Sequence, residues 1–583
     1  MKISEVNIKG FRNFKNAKFK FNKHTALMGF NDIGKTNLIY AIRLLLDKNI
    51  SESDMELNEA DFFAYENTNS IEIIIKFDEV TEDFVLSKLR EFVSEDGILY
   101  LKYTILKNDS EFKLFIGSSL TLLEEIQGRY YLKAFNLKYV GSSRNLYSFI
   151  QKEKKLLIDK AKEGRNSNDI ENDTAIENKV ETSLKSLNKD VRNITYVKNA
   201  TNKINDELNK LSFKNESQKL VLDMAGDDIN ALLGKVNLAA ETNEKFLTVG
   251  GDGKLNQIFL ALWTNKYNSD INELNEVSFY CIEEPEAHLH PHQQRKLSEY
   301  LAETLNNQVI ITTHSPQIIS EFKPNSIIKL YQKNGATFGV NDGCSSEIED
   351  ELFNFAHRLD IISTEAFYAD LVFLVEGQSE ILFYKALSKA IGIDLDKLNI
   401  SILMVDGVGF KPYIKVLELL QIPWIMRTDN DIFKLPKNDK YRFAGIQRCM
   451  DIYKSFIISN EEELNTTYQT HLDNIHGVTL PANAGIIKST IELKTFLEQY
   501  NLFLSQKDLE NDLVNSPLLT KLKEFYDLTT KDEILVEMQN RKGGSMFEFL
   551  QKHQSDLSIL LTDPISLPLL KCKEIIEAIN DTD

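Results

Sequence analysis

The chain has 583 residues, 42% hydrophobic and 10% aromatic, more than one core supports and ordinary for a globular protein of two or more domains. Its 68 basic and 87 acidic residues give a net charge of −19, which argues against a chain-wide nucleic-acid footprint; carboxylates gathered round divalent ions are nonetheless neutralised in use. No apolar run reaches the roughly 18 residues of a membrane span, and four scattered cysteines (Cys281, Cys344, Cys449, Cys572) point to a reduced, cytoplasmic protein with neither disulfide framework nor structural zinc.

Residues 1–144 read mostly as strands: "KISEVNIKGF", "NAKFKF" and "HTALMGF", then "SIEIIIKF", "ILYLKYTIL" and "EFKLFIG" after one helix from about Lys35 to Leu46. Between "HTALM" and that helix lies Gly29-Phe30-Asn31-Asp32-Ile33-Gly34-Lys35-Thr36, a P-loop pattern in the strand-to-helix context that supports it. Gly29 and Gly34 let backbone N–H groups curl round phosphate, Lys35 reaches the β/γ-phosphates and Thr36 ligates Mg²⁺, with Asn31 and Asn37 beside them. Residues 145–225 change texture to charged, Asn-rich helical segments with thin apolar stripes, either a solvated helix pair or a dimerisation arm.

Strand and helix patterns resume over 226–345. "GGDGKLNQ" is a Gly-rich turn opening a helix, with Gly251 and Asp252 able to meet a phosphate from the opposite face. "FYCIEEPE" is a strand ending in Glu283 and Glu284, positions suited to a Mg²⁺-coordinating and a water-activating carboxylate, and Pro285 stops the strand there. "VIITTHSP" ends in His314, placed to sense the γ-phosphate. His288, His290 and His292 alternate along the segment after the glutamates; packing between protomers is preferred to a zinc cage. The stretch "YQKNGATFGVNDGCSSEIEDE" reads as a domain linker.

Residues 346–583 carry "DLVFLVEGQSEILFYKAL", "NISILMVDGVGF" and "IPWIMRTDNDIF" between helical segments, a small α/β unit with a parallel sheet. Glu376 follows its first strand and Glu380 falls in the next helical turn. Asp429 and Asp431, two apart on an extended chain, face one way and can share a cation. Such acids at strand ends are costly unless they hold metal or substrate. Lys434, Lys437, Lys440, Arg442 and Arg448 form the densest basic stretch of this half and suggest contacts to a DNA backbone.

"GFNDIGKT", "GGDGKLNQ", "IEEPEAHLH" and "TTHSP" resemble, in order and spacing, the ATPase heads of the ABC/SMC/RecF group. That resemblance implies ATP, Mg²⁺ and a dimer in which one protomer's Gly-rich turn completes its partner's site. No Gln precedes Gln127, so the group's Mg²⁺-sensing glutamine after the P-loop helix is missing or replaced. Glu376, Glu380 and the Asp429/Asp431 pair match the Toprim pattern. A head of this kind followed by Toprim resembles the OLD-family nucleases over nearly the whole chain. "FLSQKDLENDL" and "NRKGGSMFEFL" are similar to the acidic and lysine motifs of the nuclease subunit of the Gabija antiphage system. The resemblance implies that Glu376, Glu380, Asp429 and Asp431 bind one Mg²⁺ or Mn²⁺, that Asp508 and Glu510 help bind a second, and that Lys542 steadies the phosphate. It also implies double-stranded DNA as substrate, a dimer or tetramer, a UvrD-like helicase partner, and ATP binding that gates cutting. A different function class stays open: an SMC/RecF-like repair ATPase in which Toprim binds DNA without cutting it.

Overall fold

The computed structural model describes the chain apart from residues 108–110, 143–157, 159–160, 163, 212–238, 243–244, 249–250, 268–275, 305–306, 345–363, 406–408, 436–438, 459–475, 480–483, 541 and 583. The N-terminal strands form a six-stranded antiparallel sheet in the order Phe14–Lys20, Lys2–Phe11, Ser70–Asp78, Leu99–Leu106, Lys113–Gly117, Leu123–Ile126. Period-2 alternation decides its faces: Ile71, Ile73, Ile75 and Phe77 are buried, while Glu72 faces out and pairs with Lys102 of the neighbouring strand.

A second six-stranded sheet runs Ala336–Gly339, Ile327–Lys333, His24–Met28, Val309–Thr312, Val277–Glu283, Phe135–Val140. All its pairings are parallel except that of the first two strands. Val277–Glu283 and Val309–Thr312 are apolar almost throughout, as strands covered on both faces must be. Helix Lys35–Leu46 buries Leu38, Ile42 and Leu45 in one core with Ile73 and Phe77 of the antiparallel sheet and Phe135 and Phe279 of the parallel one.

Of the stretch expected to be a linker, residues 331–339 are instead part of this second sheet, and residues 345–351 lie outside the described residues. Tyr331–Lys333 finishes one strand, Asn334 and Gly335 turn with positive φ (52° and 73°), and Ala336–Gly339 returns antiparallel. Asn-Gly is the sequence best suited to a two-residue hairpin turn, so polarity at 334–335 marks a turn.

The C-terminal sheet is four-stranded and wholly parallel, in the order Ile400–Met404, Leu371–Val375, Trp424–Thr428, Leu502–Leu504. Helices Gln378–Ala390, Leu509–Asn515 and Lys542–His553 share a core with Leu371, Phe373 and Ile425. Helices Phe410–Leu419, Ala444–Ile452 and Ala484–Glu498 pack with the alternate residues Val372, Leu374 and Met426. Ala26 and Met28 of the P-loop strand belong to this latter core too.

By compactness, Met1–Gly141, Asn275–Glu286 and Pro291–Asp583 form one unit, and Ser142–Leu274 with Ala287–His290 a second. The second holds the long helices Ser167–Asn193 and Thr195–Leu211, as expected from their texture. Ser167–Asn193 buries only Asn188, whereas Ile170, Ile176 and Leu187 are exposed.

Candidate functional site

In the head, the P-loop strand ends at Met28 and the loop turns through Gly29 and Gly34, whose φ values are 150° and 112°. Its positive φ makes Gly34 a glycine position, and a Cβ there would also displace the Asn13 side chain, whose Nδ2 would stand 2.0 Å away. Asn13 Nδ2 donates to the Ile33 carbonyl (2.9 Å) and to Thr337 Oγ1 (2.7 Å), and Thr337 Oγ1 donates to that same carbonyl (2.8 Å). The hairpin at 327–339 therefore braces the phosphate loop. Asn37 donates to Asn13 Oδ1 and accepts from Arg12, so it serves the brace; Asn31 and Thr36 are exposed. Lys35 Nζ donates to the carbonyls of Gly29 (2.8 Å) and Phe30 (2.6 Å). Burial lowers its pKa to about 8, against the raising influence of Glu284, Asp32, Glu283 and Glu286.

Register sets Glu283 beside Thr312, and Thr312 beside Leu27, on one sheet edge. Glu283 Oε2 accepts from the Tyr139 hydroxyl (2.8 Å), whereas Oε1 is buried and has no hydrogen-bond partner. A buried carboxylate with one free oxygen is fitted to a hard cation, which supports its Mg²⁺ assignment. His314 Nε2 lies 3.9 Å from Glu284 Oε1, and burial and Lys35 hold the imidazole below its ordinary pKa. Sequence reasoning passed over Glu286. Its Oε1 accepts from the Thr313 hydroxyl (2.6 Å) and the His314 N–H (2.9 Å), Oε2 is buried without a partner, and burial raises its pKa. Gly251 and Asp252 are exposed and belong to the second unit, where Asn256 of the same helix donates to the Ala287 carbonyl (2.9 Å).

In the C-terminal domain, parallel pairing brings the ends of three strands to one edge. Glu376 follows Val375, Asp429 follows Thr428, and Glu510 stands in the first turn of the helix after Leu504. Glu376, Glu380, Asp429, Glu510 and the Gly543 backbone line one cavity of about 340 Å³. Glu376 Oε1 accepts from the Thr428 hydroxyl and from the Asp429 N–H (3.0 Å), and Ser505 Oγ donates to Asp429 Oδ1 (3.2 Å). Burial, then Glu380 and Glu376, push the Asp429 pKa up to about 8, and burial raises that of Glu380. Beneath them Arg427, 3% exposed, pairs with Asp512 (2.6 Å) and is the opposing charge that acts on Asp429 and Glu380.

The remaining candidates sort themselves round this cavity. Asp431 stands at the other side of Arg448, whose guanidinium reaches both it (3.3 Å) and Glu376. Arg448 therefore turns in to the acids instead of joining a basic DNA-facing stretch as expected. Lys434, Lys440 and Arg442 remain exposed, and Lys437 lies outside the described residues. Asp508 caps its helix: Oδ1 accepts from the Asn511 N–H (2.8 Å) and Oδ2 from Gln539 (2.7 Å). Lys542 opens helix Lys542–His553, directly before cavity-lining Gly543. Among the described residues no three His, Cys or carboxylate side chains are grouped closely enough to hold an ion, the histidine triplet included. The donor chemistry fits Mg²⁺ or Mn²⁺, with side-chain rotation needed for ligation. All four cysteines are buried and free, and no helix of the described residues is long and apolar enough to cross a membrane.

Residues 1–319 match a family model described as an AAA ATPase domain, and residues 367–431 one described as the Toprim domain of overcoming-lysogenization-defect-like proteins. The chain is 26% identical over 546 residues to the endonuclease GajA of Bacillus cereus strain VD045, covering 88% of this chain and 90% of that protein. It is 25% identical over 461 residues to the Old nuclease of Escherichia phage P2, covering 70% and 73%. Among solved structures, an SMC head bound to the C-terminal winged-helix domain of ScpA matches at 16% identity and TM-score 0.36, covering 58% of this chain and 98% of that one. The chain thus belongs to the AAA ATPase family, carries an OLD-like Toprim domain behind its head, and is a homologue of the OLD-type endonucleases.

Proposed function

We propose that the chain is a divalent-metal-dependent DNA endonuclease whose head binds ATP and controls the Toprim site. The observation that carries this reading is the meeting of Glu376, Glu380, Asp429 and Glu510 at one cavity, with Asp429 pushed up to about 8. So much like charge gathered at strand ends is a standing demand for a cation. Mg²⁺ or Mn²⁺ bound there, as one ion or as a pair, would supply charge stabilisation for the attacking and leaving oxygens of a phosphodiester. The chain's own share is positional. Thr428 and the Asp429 N–H orient Glu376, Ser505 orients Asp429, and Arg427 offsets the crowded charge from below. Glu376, Glu380, Asp429 and Asp431 serve one ion in this reading and Asp508 and Glu510 a second, with Lys542 at the phosphate. In the head, Lys35, Thr36 and Glu283 would hold Mg-ATP, while Glu284 and His314 would face its γ-phosphate.

A route from head to cavity supports control by nucleotide. Glu286 engages Thr313 and His314, the Thr313 carbonyl accepts from the Tyr368 hydroxyl (3.5 Å), and Tyr368 lies just before strand Leu371–Val375, which leads directly into Glu376. Lys329 Nζ also donates to the Ala369 carbonyl (3.3 Å). The exposed apolar residues of helix Ser167–Asn193 support assembly into a dimer or tetramer. The resemblance of its acidic and lysine motifs to the nuclease subunit of the Gabija antiphage system supports an antiphage role in the cytoplasm beside a helicase subunit, and likeness to the endonuclease GajA supports the cutting activity.

Supercoiled plasmid incubated with the purified chain and Mg²⁺ or Mn²⁺ tests the reading. Nicking is expected in wild type, lost in Asp429→Asn and altered by ATP. Nicking that persists in Asp429→Asn would sink the metal assignment, and DNA binding without nicking in wild type would favour a repair ATPase.

A further inference from the structure

Of the basic residues after the Asp429/Asp431 pair, only Arg448 turns onto the acids among those described. Its Nη1 donates to Glu376 Oε1 and Thr428 Oγ1, and its Nη2 lies 3.3 Å from Asp431 Oδ2. By contrast Lys434 pairs with exposed Asp439, and Arg442 is exposed. The placement is built into the backbone. Helix Ala444–Ile452 starts on the acid-bearing segment itself, with the Ala444 N–H donating to the Asp431 carbonyl (2.7 Å). A Cβ at Gly445 would stand 2.2 Å from the Asp429 carbonyl oxygen, so only glycine lets the helix come this close. Ile446, Cys449 and Met450 bury the helix's other face in the core, which leaves Arg448, one turn on, no direction but back towards Glu376.

We propose that Arg448 is a positioning residue, the resident counter-cation of the Toprim acids, which holds Glu376 and Asp431 in the metal-free protein and must release them to an incoming divalent ion. The inference rests on the reading of those two residues as metal-binding acids. A guanidinium presents several N–H donors in a rigid fork, and here the fork spans two carboxylates that do not otherwise touch. Lone pairs committed to the guanidinium are withheld from an ion, so ion and arginine compete for the same oxygens. Arg448 therefore lowers metal affinity while it suppresses repulsion among the acids. It makes cation binding an exchange of partners, which keeps the site ordered at low metal.

The test is Mn²⁺ binding to the full chain, followed by electron paramagnetic resonance of the free ion, with melting temperatures taken in EDTA and in saturating Mn²⁺. Arg448→Gln should bind Mn²⁺ roughly three- to tenfold more tightly than wild type, the range expected for losing two partly exposed ion pairs. It should also melt lower in EDTA and gain more from Mn²⁺. A merely structural arginine would lower both melting points alike. Arg448→Lys keeps the charge without the fork and should fall between the two, which keeps the test decisive if the glutamine variant does not fold. Arg442→Gln should match wild type throughout. Equal Mn²⁺ affinity and an equal Mn²⁺-induced melting shift in wild type, Arg448→Gln and Arg448→Lys would overturn the proposal. Unchanged Mn²⁺ binding in Asp429→Asn would instead overturn the metal assignment on which it rests.

Discussion

Replacing Arg427 by methionine should cost the C-terminal domain a large part of its stability, because this arginine is the buried positive charge beneath the acid cavity. Its side chain is 3% exposed, Nη2 pairs with Asp512 at 2.6 Å, and the guanidinium lies 5.6 Å from the centroid of the buried Tyr384 ring. Asp512, 12% exposed at its side chain, would keep only the Gln506 N–H at 2.8 Å. Removing one partner of such a buried pair costs about 3–5 kcal/mol. At about 2–4 °C per kcal/mol for a domain of this size, the melting point should fall by roughly 6–20 °C. Calorimetry in EDTA isolates the effect from bound metal. The companion variant Arg427→Met/Asp512→Leu removes the pair as a unit and should recover most of the loss, since apolar replacement of a buried ion pair is often close to neutral. A single variant that melts within about 2 °C of wild type, or a strictly additive double variant, would refute the reasoning.

Lys35 binds phosphate in its protonated form, and burial lowers its pKa from the ordinary 10.5 to about 8. The free head loses this charge as pH rises through 8, so fluorescent-nucleotide titrations should show affinity constant below that pH and falling by up to about tenfold per unit above it. Affinity flat to pH 9.5 would contradict the assignment. Tyr368→Phe removes the hydroxyl that meets the Thr313 carbonyl; cleavage without ATP should persist, while the ATP concentration that alters cleavage shifts by roughly two- to tenfold, the worth of one hydrogen bond. An unshifted ATP response would remove Tyr368 from the route. Gly445→Ala places a methyl group 2.2 Å from the Asp429 carbonyl oxygen; the displaced helix should lower the melting point by an amount matching about 1–3 kcal/mol and weaken Mn²⁺ binding, and a neutral outcome would show that the close approach is dispensable.

Much of the machinery is legible in the chain because it is local. The P-loop, Glu376 and Asp429 each follow directly on an apolar strand, Glu283 ends one, Glu380 stands in the first turn of the helix after one, and parallel strands deliver their ends to one edge whatever the rest of the fold does. What escaped reading depends on contacts between distant residues. Arg448 looks like its basic neighbours until helix Ala444–Ile452 is set against Asp429. Ser505 and Arg427 become meaningful only when strand Leu502–Leu504 pairs with Trp424–Thr428. Glu286 follows Pro285 in plain view, but its partners Thr313 and His314 stand at the end of another strand. The polar run after Tyr331 misled because a hairpin turn and a linker share a composition, and the brace from Thr337 to the P-loop crosses most of the head. Asn37, next to Thr36, gives its side chain to Asn13 and Arg12, a choice set by the turn between strands Lys2–Phe11 and Phe14–Lys20 that carries them.

The central claim is that cutting belongs to the Toprim acids and its control to the head, and one comparison tests it most directly. Plasmid cleavage in Mg²⁺ is measured for wild type, Glu376→Ala and Lys35→Ala, each with and without ATP. Glu376→Ala should cleave under no condition, and Lys35→Ala should cleave without responding to ATP. Cleavage retained by Glu376→Ala, or an ATP response undiminished in Lys35→Ala, would contradict it.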